Sequence, residues 1–209
     1  MIRRLLTIAL LAFLAVPLAA QAPDGWMVRI DRSTNAQDPD DTPNLKFATM
    51  GKGFHVTSGP AGVFWNPANT ATGDYTASAT FVLTKPSGHT NYYGLVIGGA
   101  DLGAATQNYI YFLVAQDGTY LVKHRSGDQV HDVKAATPHD AVRKPGADGR
   151  STNALEVRVA GNTISYVVNG TVVHTTPKSG MTAKTDGLVG IRVNHLLDVH
   201  IEGFGVKKA

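Results

Sequence analysis

Short alternating runs separated by two-residue turn signals dominate the second half of the chain. From residue 153 to 206 the sequence includes NALEVRVAGNTISYVVNGTVVHTTP and then GLVGIRVNHLLDVHIEGFGV, with apolar and polar residues taking turns. Asn169-Gly170 stands between two β-branched runs, and Asn-Gly readily takes the positive φ angles that a two-residue hairpin requires. Gly161-Asn162 gives a similar turn signal between the two preceding strands. Three or four consecutive antiparallel strands follow from this, and a chain built so throughout is a β-sandwich or a barrel.

The first half fits the same scheme. Short strands are expected at Trp26–Ile30, Leu45–Thr49, Phe54–Ser58 and Val63–Trp65. A long one follows at Tyr75–Leu83, with Tyr75, Ala77, Ala79, Phe81 and Leu83 on one face. Tyr92–Gly98 and Tyr109–Ala115 are apolar at both parities, which requires both of their faces to be covered. Asp117-Gly118 turns the latter into Tyr120–Arg125. Residues 134–152 read as the longest irregular segment, with room for one helical turn at Thr137–Val142. No repeat or second domain is visible, so a single domain is expected over 24–209.

The first twenty residues read as an address. Arg3 and Arg4 precede the apolar run Leu5–Val16, then Pro17 and the small residues Ala19, Ala20 and Ala22. This is the layout of a secretory signal peptide, too short for a transmembrane anchor. Cleavage is expected after Ala20; cleavage after Ala22 would leave Pro23 next in line. The expected destination is secreted or periplasmic. The chain has no cysteine, which excludes disulfides, thiolate metal sites and thiol nucleophiles. Loss of Arg3 and Arg4 takes the formal charge from +3 to +1, so no electrostatic footprint for nucleic acid remains. No later segment is apolar enough to span a membrane, and a monomer is the default.

Enzyme motifs are missing: there is no Gly-x-Ser-x-Gly elbow and no Gly-x-Gly-x-x-Gly loop. A turn at Ser126–Asp128 would set His124 opposite His131, but two imidazoles are an incomplete zinc site. A binding surface is the stronger candidate. If Asp117-Gly118 closes a two-residue hairpin, Tyr111 opposes His124, and Tyr109, Tyr111, Tyr120 and His124 share a face. Tyr92 would extend the same groove. Sugars stack their C–H faces on aromatic rings while polar groups hold the hydroxyls, so Tyr92, Tyr109, Tyr111 and His124 are the candidate ligand-binding residues. The competing reading makes these tyrosines packing residues with satisfied hydroxyls, and periodicity leaves open which face is the core side.

Several segments together carry a family resemblance: GVFWNPANTATGDYTASATF at 62–81, NYYGLVIGGADL at 91–102, YIYFLVAQDGTYLVKHR at 109–125, NALEVRVAGNTISYVVNG at 153–170 and the terminal LDVHIEGFGV. The chain resembles the concanavalin A-like lectin/glucanase superfamily, in particular bacterial secreted modules related to laminin-G-like and 3-keto-disaccharide hydrolase-like domains. The resemblance implies an all-β, antiparallel two-sheet jelly-roll sandwich and a carbohydrate partner. It carries no catalytic residue across by motif. Laminarinase-like glucanases hold a Glu-x-Asp-x-Glu-like strand, and Asp198-Val199-His200-Ile201-Glu202 places Asp198, His200 and Glu202 on one strand face in a comparable pattern. Retaining glycosidases need their carboxyls about 5–5.5 Å apart, whereas residues four apart along a strand have Cα atoms about 13 Å apart. Asp198 and Glu202 are therefore the weaker, catalytic candidates, and the plain alternative is the solvent face of a terminal strand. Related folds often hold a calcium ion, for which Asp38, Asp40 and Asp41 offer oxygens without the regular spacing of a calcium loop; no cofactor is expected. Non-catalytic glycan binding leads. Hydrolysis of a polysaccharide or an oxidised disaccharide, and a structural or adhesive module, are the alternatives.

Overall fold

A computed structural model of the chain describes residues 22–32 and 39–209. The expected signal segment, residues 1–20, and the calcium candidate Asp38 lie outside the described residues. Fourteen strands appear in chain order: β1 (Met27–Asp31), β2 (Lys46–Met50), β3 (Gly53–Thr57), β4 (Ala61–Ala71), β5 (Tyr75–Lys85), β6 (Tyr92–Ala100), β7 (Asn108–Ala115), β8 (Thr119–Ser126), β9 (Gln129–Pro138), β10 (Ser151–Ala160), β11 (Thr163–Val168), β12 (Thr171–Pro177), β13 (Gly187–Val193) and β14 (Asp198–Lys208). They form two seven-stranded sheets. Sheet A runs β1-β4-β13-β6-β7-β8-β9 and sheet B runs β12-β11-β10-β5-β14-β3-β2. The two stack as a jelly-roll sandwich. Among the described residues no helix is long and apolar enough to cross a membrane.

Period-2 alternation builds the core between the sheets. Sheet B contributes Ala77, Phe81, Leu83, Leu155, Val157 and Tyr166; sheet A contributes Phe64, Tyr93, Leu95, Phe112, Ile191 and Val193. Tyr75 to Leu83 shows the expected period without a break, each odd position buried and each even one half-buried. At the β1 and β2 edges Trp26 plugs the gap, its ring centroid 4.6 Å from Phe54 and 5.3 Å from Phe204.

The turns follow their residues. Asn169 and Gly170 take φ of 50° and 84°, and Val168 pairs directly with Thr171, a two-residue hairpin with both φ angles positive. Gly127-Asp128 closes β8 onto β9 so that His124 does stand opposite His131. Three expectations fail. The β7–β8 turn has three residues, 116–118, because Ala115 O accepts the Gly118 N–H and Gly118 sits at φ 87°. Residues 134–138 belong to strand β9 and 151–152 to β10, which confines the irregular segment to 139–150, and in place of a helical turn at Thr137–Val142 there is a single hydrogen-bonded turn, Val142 N–H to His139 O. The strand at Val63–Trp65 also continues through Pro67 to Ala71. Pro67 is tolerated because the β4–β13 register shifts between Leu188 and Gly190, leaving it in a bulge where no ladder N–H is needed.

Candidate functional site

Sheet A carries a second apolar layer on the face turned away from sheet B. Val63, Trp65, Val96, Tyr109, Tyr111, Leu113 and Leu121 form it, with Leu102 from the β6–β7 loop, and Tyr92 and Leu188 pack against its margin. Arg192 stands among them. It alternates with Ile191 and Val193, whose side chains enter the inter-sheet core, so the central strand β13 delivers a guanidinium to the opposite face.

That guanidinium is held on three sides. Its Nη1 donates to Asp31 Oδ2 at 2.8 Å and to the Tyr109 hydroxyl at 3.1 Å, and its Nε donates to Asn194 Oδ1 at 3.1 Å. The Tyr111 ring lies beneath it, 5.4 Å from Cζ to centroid, a cation–π distance. Asp31 is shared, since Arg29 Nε reaches its other oxygen at 3.0 Å. Burial alone would lower the Arg192 pKa, but Tyr109, Asp31 and Tyr111 outweigh it and keep the group charged. Burial alone would likewise raise Asp31, but Arg192 and Arg29 hold its carboxyl below the ordinary value. Burial pushes the Tyr111 hydroxyl up to about 12. Nη2 of Arg192 has no hydrogen-bond partner among the described residues.

The four candidate ligand-binding residues do not gather as expected. Tyr92, Tyr109 and Tyr111 share the outer face of sheet A. His124 does not: the extra turn residue pairs Tyr111 with Lys123 and Ile110 with His124, which sends His124 and Tyr120 to the inner side and brings Lys123 and Arg125 out. Tyr109 and Tyr111 are 1% and 6% exposed. Tyr92 is half-buried and its hydroxyl meets Thr119 Oγ1 at 3.1 Å. Arg192 and Asp31 were not visible as a site in the sequence. The single signal was a charge in the middle of the apolar run GLVGIRV; its partner lies 161 residues away.

Asp198 and Glu202 occupy the outer face of sheet B, as their spacing requires, but a different histidine engages each. Asp198 Oδ1 is 2.6 Å from His55 Nε2 and accepts the Thr84 hydroxyl at 2.6 Å, while Glu202 Oε1 is 3.1 Å from His200 Nε2. The two imidazoles sit side by side with centroids 6.0 Å apart. Of the calcium candidates, Asp40 pairs with His89 at 3.4 Å and Asp41 is buried at the end of a 3-10 turn. Among the described residues no group of three or more His, Asp or Glu side chains is placed to hold a metal ion.

No protein-family model and no curated protein sequence matches the chain. Solved structures do. The chain is similar to the carbohydrate-binding module CBM66 from Bacillus subtilis, at 12% identity and a TM-score of 0.63 over 88% of this chain and 96% of that one. A Bacillus subtilis protein of unknown function with a galectin-like fold aligns at 13% identity and a TM-score of 0.60, covering 88% and 89%. The Bacteroides ovatus GH16 of a mixed-linkage glucan locus, solved with the product G4G4G3G, aligns at 9% identity and 0.57, covering 88% and 95%. Likenesses at these identities establish the fold alone, a jelly-roll sandwich.

Proposed function

We propose that the chain is exported and that its mature form binds carbohydrate on the outer face of sheet A without cleaving it. The observation that carries the reading is Arg192: a charged fork, fixed by Asp31 and Asn194, standing among tyrosines on the sheet face that does not serve the inter-sheet core. Carbohydrate sites combine ring surfaces with a few fixed polar groups that set orientation. Here Tyr92 supplies the accessible ring, at the margin of the layer that buries Tyr109 and Tyr111, and Nη2 of Arg192 supplies a donor. A carbohydrate-binding module and a GH16 solved with the product G4G4G3G among the similar folds support a glycan ligand by analogy of fold. The separate engagement of Asp198 and Glu202 by His55 and His200 supports binding over hydrolysis.

The test is a glycan array probed with the chain beginning at Gln21, the expected mature form. Binding to at least one glycan class is expected, with no release of shorter sugars on incubation. Tyr92→Ala, at the half-buried margin of the layer, is expected to weaken that binding about tenfold, or ~1.4 kcal/mol, while leaving the melting temperature within a few degrees. A silent array, or full affinity in both Tyr92→Ala and Tyr111→Phe, would remove the proposal.

A further inference from the structure

A cavity of about 300 Å³ opens at one end of the sandwich, between β6, β7 and the segment 178–186 that leads into β13. This volume lies at the lower end of the range for small-ligand pockets, ~300–1,000 Å³. Gly98, Asn108, Lys178, Lys184, Thr185 and Asp186 line it. The segment is seated firmly. Thr185 O accepts the hydroxyl of the core residue Tyr75 at 2.7 Å. Gly98, at φ +61°, lies so close to the segment that a Cβ there would fall 2.2 Å from Lys184 O.

The polar groups on this wall are mostly donors. Thr185 is fully buried, and its Oγ1 has no partner, although a buried hydroxyl without a hydrogen bond is costly. Asn108 Oδ1 is 3.3 Å from His124 Nε2; with that oxygen accepting from the imidazole, the amide nitrogen is left to donate elsewhere. Lys178 is 3.5 Å from Asp186, and Lys184 has no carboxylate partner among the described residues. Two ammonium groups therefore stand beside one carboxylate and one uncharged donor, the Asn108 amide. His124 stands behind Asn108 with its Nδ1 buried and unpartnered; burial, His131 and Lys184 lower its pKa.

We propose that this cavity is an oxyanion site, taking the carboxylate, sulfate or phosphate group of a small ligand. Lys184 and Lys178 supply the charge, and the Asn108 amide supplies a directed hydrogen bond of the stronger, charge-assisted kind. An ion seated there would offset the repulsion that Lys184 exerts on a protonated His124. The site does not rest on the glycan reading of sheet A: it lies at the end of the sandwich and uses none of the same side chains.

The test is an NMR titration of the mature chain with sodium sulfate, sodium phosphate, glucuronate and glucose, with sodium chloride added to hold ionic strength constant. Saturable shifts at Thr185 and Asn108 are expected with the anions and not with glucose, together with an upward move of the His124 titration midpoint. Tighter binding of glucuronate than of the inorganic ions would assign the oxyanion to an acidic sugar; the reverse order would assign it to a free ion. Lys184→Ala is expected to weaken the anion about tenfold, and the partly exposed position of both lysines keeps Lys178→Ala/Lys184→Ala folded. Shifts that never saturate, that glucose reproduces, or that persist in the double variant overturn the proposal. Array binding on sheet A would survive that failure, and loss of array binding would leave the titration unaffected.

Discussion

Arg192→Leu is expected to cost about 3–5 kcal/mol of folding stability, because it strands Asp31 as a buried carboxylate without its main partner. The side chains of Arg192 and Asp31 are only 11% and 16% exposed, so water cannot replace the lost guanidinium. Arg29 remains on the other Asp31 oxygen, which places the loss toward the lower end of that range. Urea unfolding reads it as a fall in midpoint at unchanged slope. Arg192→Leu/Asp31→Asn is expected to recover some of the loss, since no unpaired charge is then left. A single variant within about 1 kcal/mol of wild type would mean that the guanidinium is not held as described.

The same pair sets an acid limb. Asp31 is held below its ordinary pKa when folded, so the unfolded chain takes up that proton more readily. The stability from the pair is therefore complete above the ordinary carboxylate value and is lost as pH falls from about 4 toward the depressed folded value. Asp31→Asn is expected to flatten this limb, and the gap between the two proteins should narrow steadily on acidification. A gap that widens on acidification would contradict the assigned direction.

How much of this was readable from the chain depends on how local each feature is. The Asn169-Gly170 hairpin was legible because both positive φ angles are written into two adjacent residues. So was the placing of Asp198, His200 and Glu202 on one face, which needs only period 2. The faces of Tyr120 and His124 were not. One extra residue in the β7–β8 turn moves every side chain of β8 to the opposite side, and Asp117-Gly118 serves a two- or a three-residue turn equally well. Strand β9 was missed because it is an edge strand, largely exposed along QVHDVKAATP. It lacks the alternation that betrays a half-buried strand, and its charged residues protect the edge. His55 against Asp198 and Arg192 against Asp31 lie beyond any local pattern, since strands far apart in sequence bring them together.

Asn153 joins the legible and the illegible regions of the fold, and Asn153→Ala is expected to cost about 2–5 kcal/mol, the sum of two or more buried groups left unsatisfied at about 1–3 kcal/mol each. The residue is fully buried in β10. Its amide nitrogen donates to Arg143 O at 3.1 Å and to the Tyr93 hydroxyl at 3.3 Å, and its Oδ1 accepts from the Arg143 N–H and from Asn169 Nδ2, both at 2.9 Å. Asn169 in turn donates to Ala141 O and accepts the Ala154 N–H. One side chain thus ties the segment after β9, the Asn-Gly turn and a tyrosine of sheet A together across the core. Alanine fills none of these roles. The Tyr93 hydroxyl is among the groups left unsatisfied, so Asn153→Ala/Tyr93→Phe should be about 1 kcal/mol less destabilised than the sum of its single changes. Thr152→Ala, one residue away but exposed, should stay within about 0.5 kcal/mol of wild type. Hydrogen exchange localises the effect: the Arg143 amide should lose protection first, ahead of the β5–β10 ladder. A small loss for Asn153→Ala with Arg143 still protected would show that the segment after β9 is held by something other than this amide.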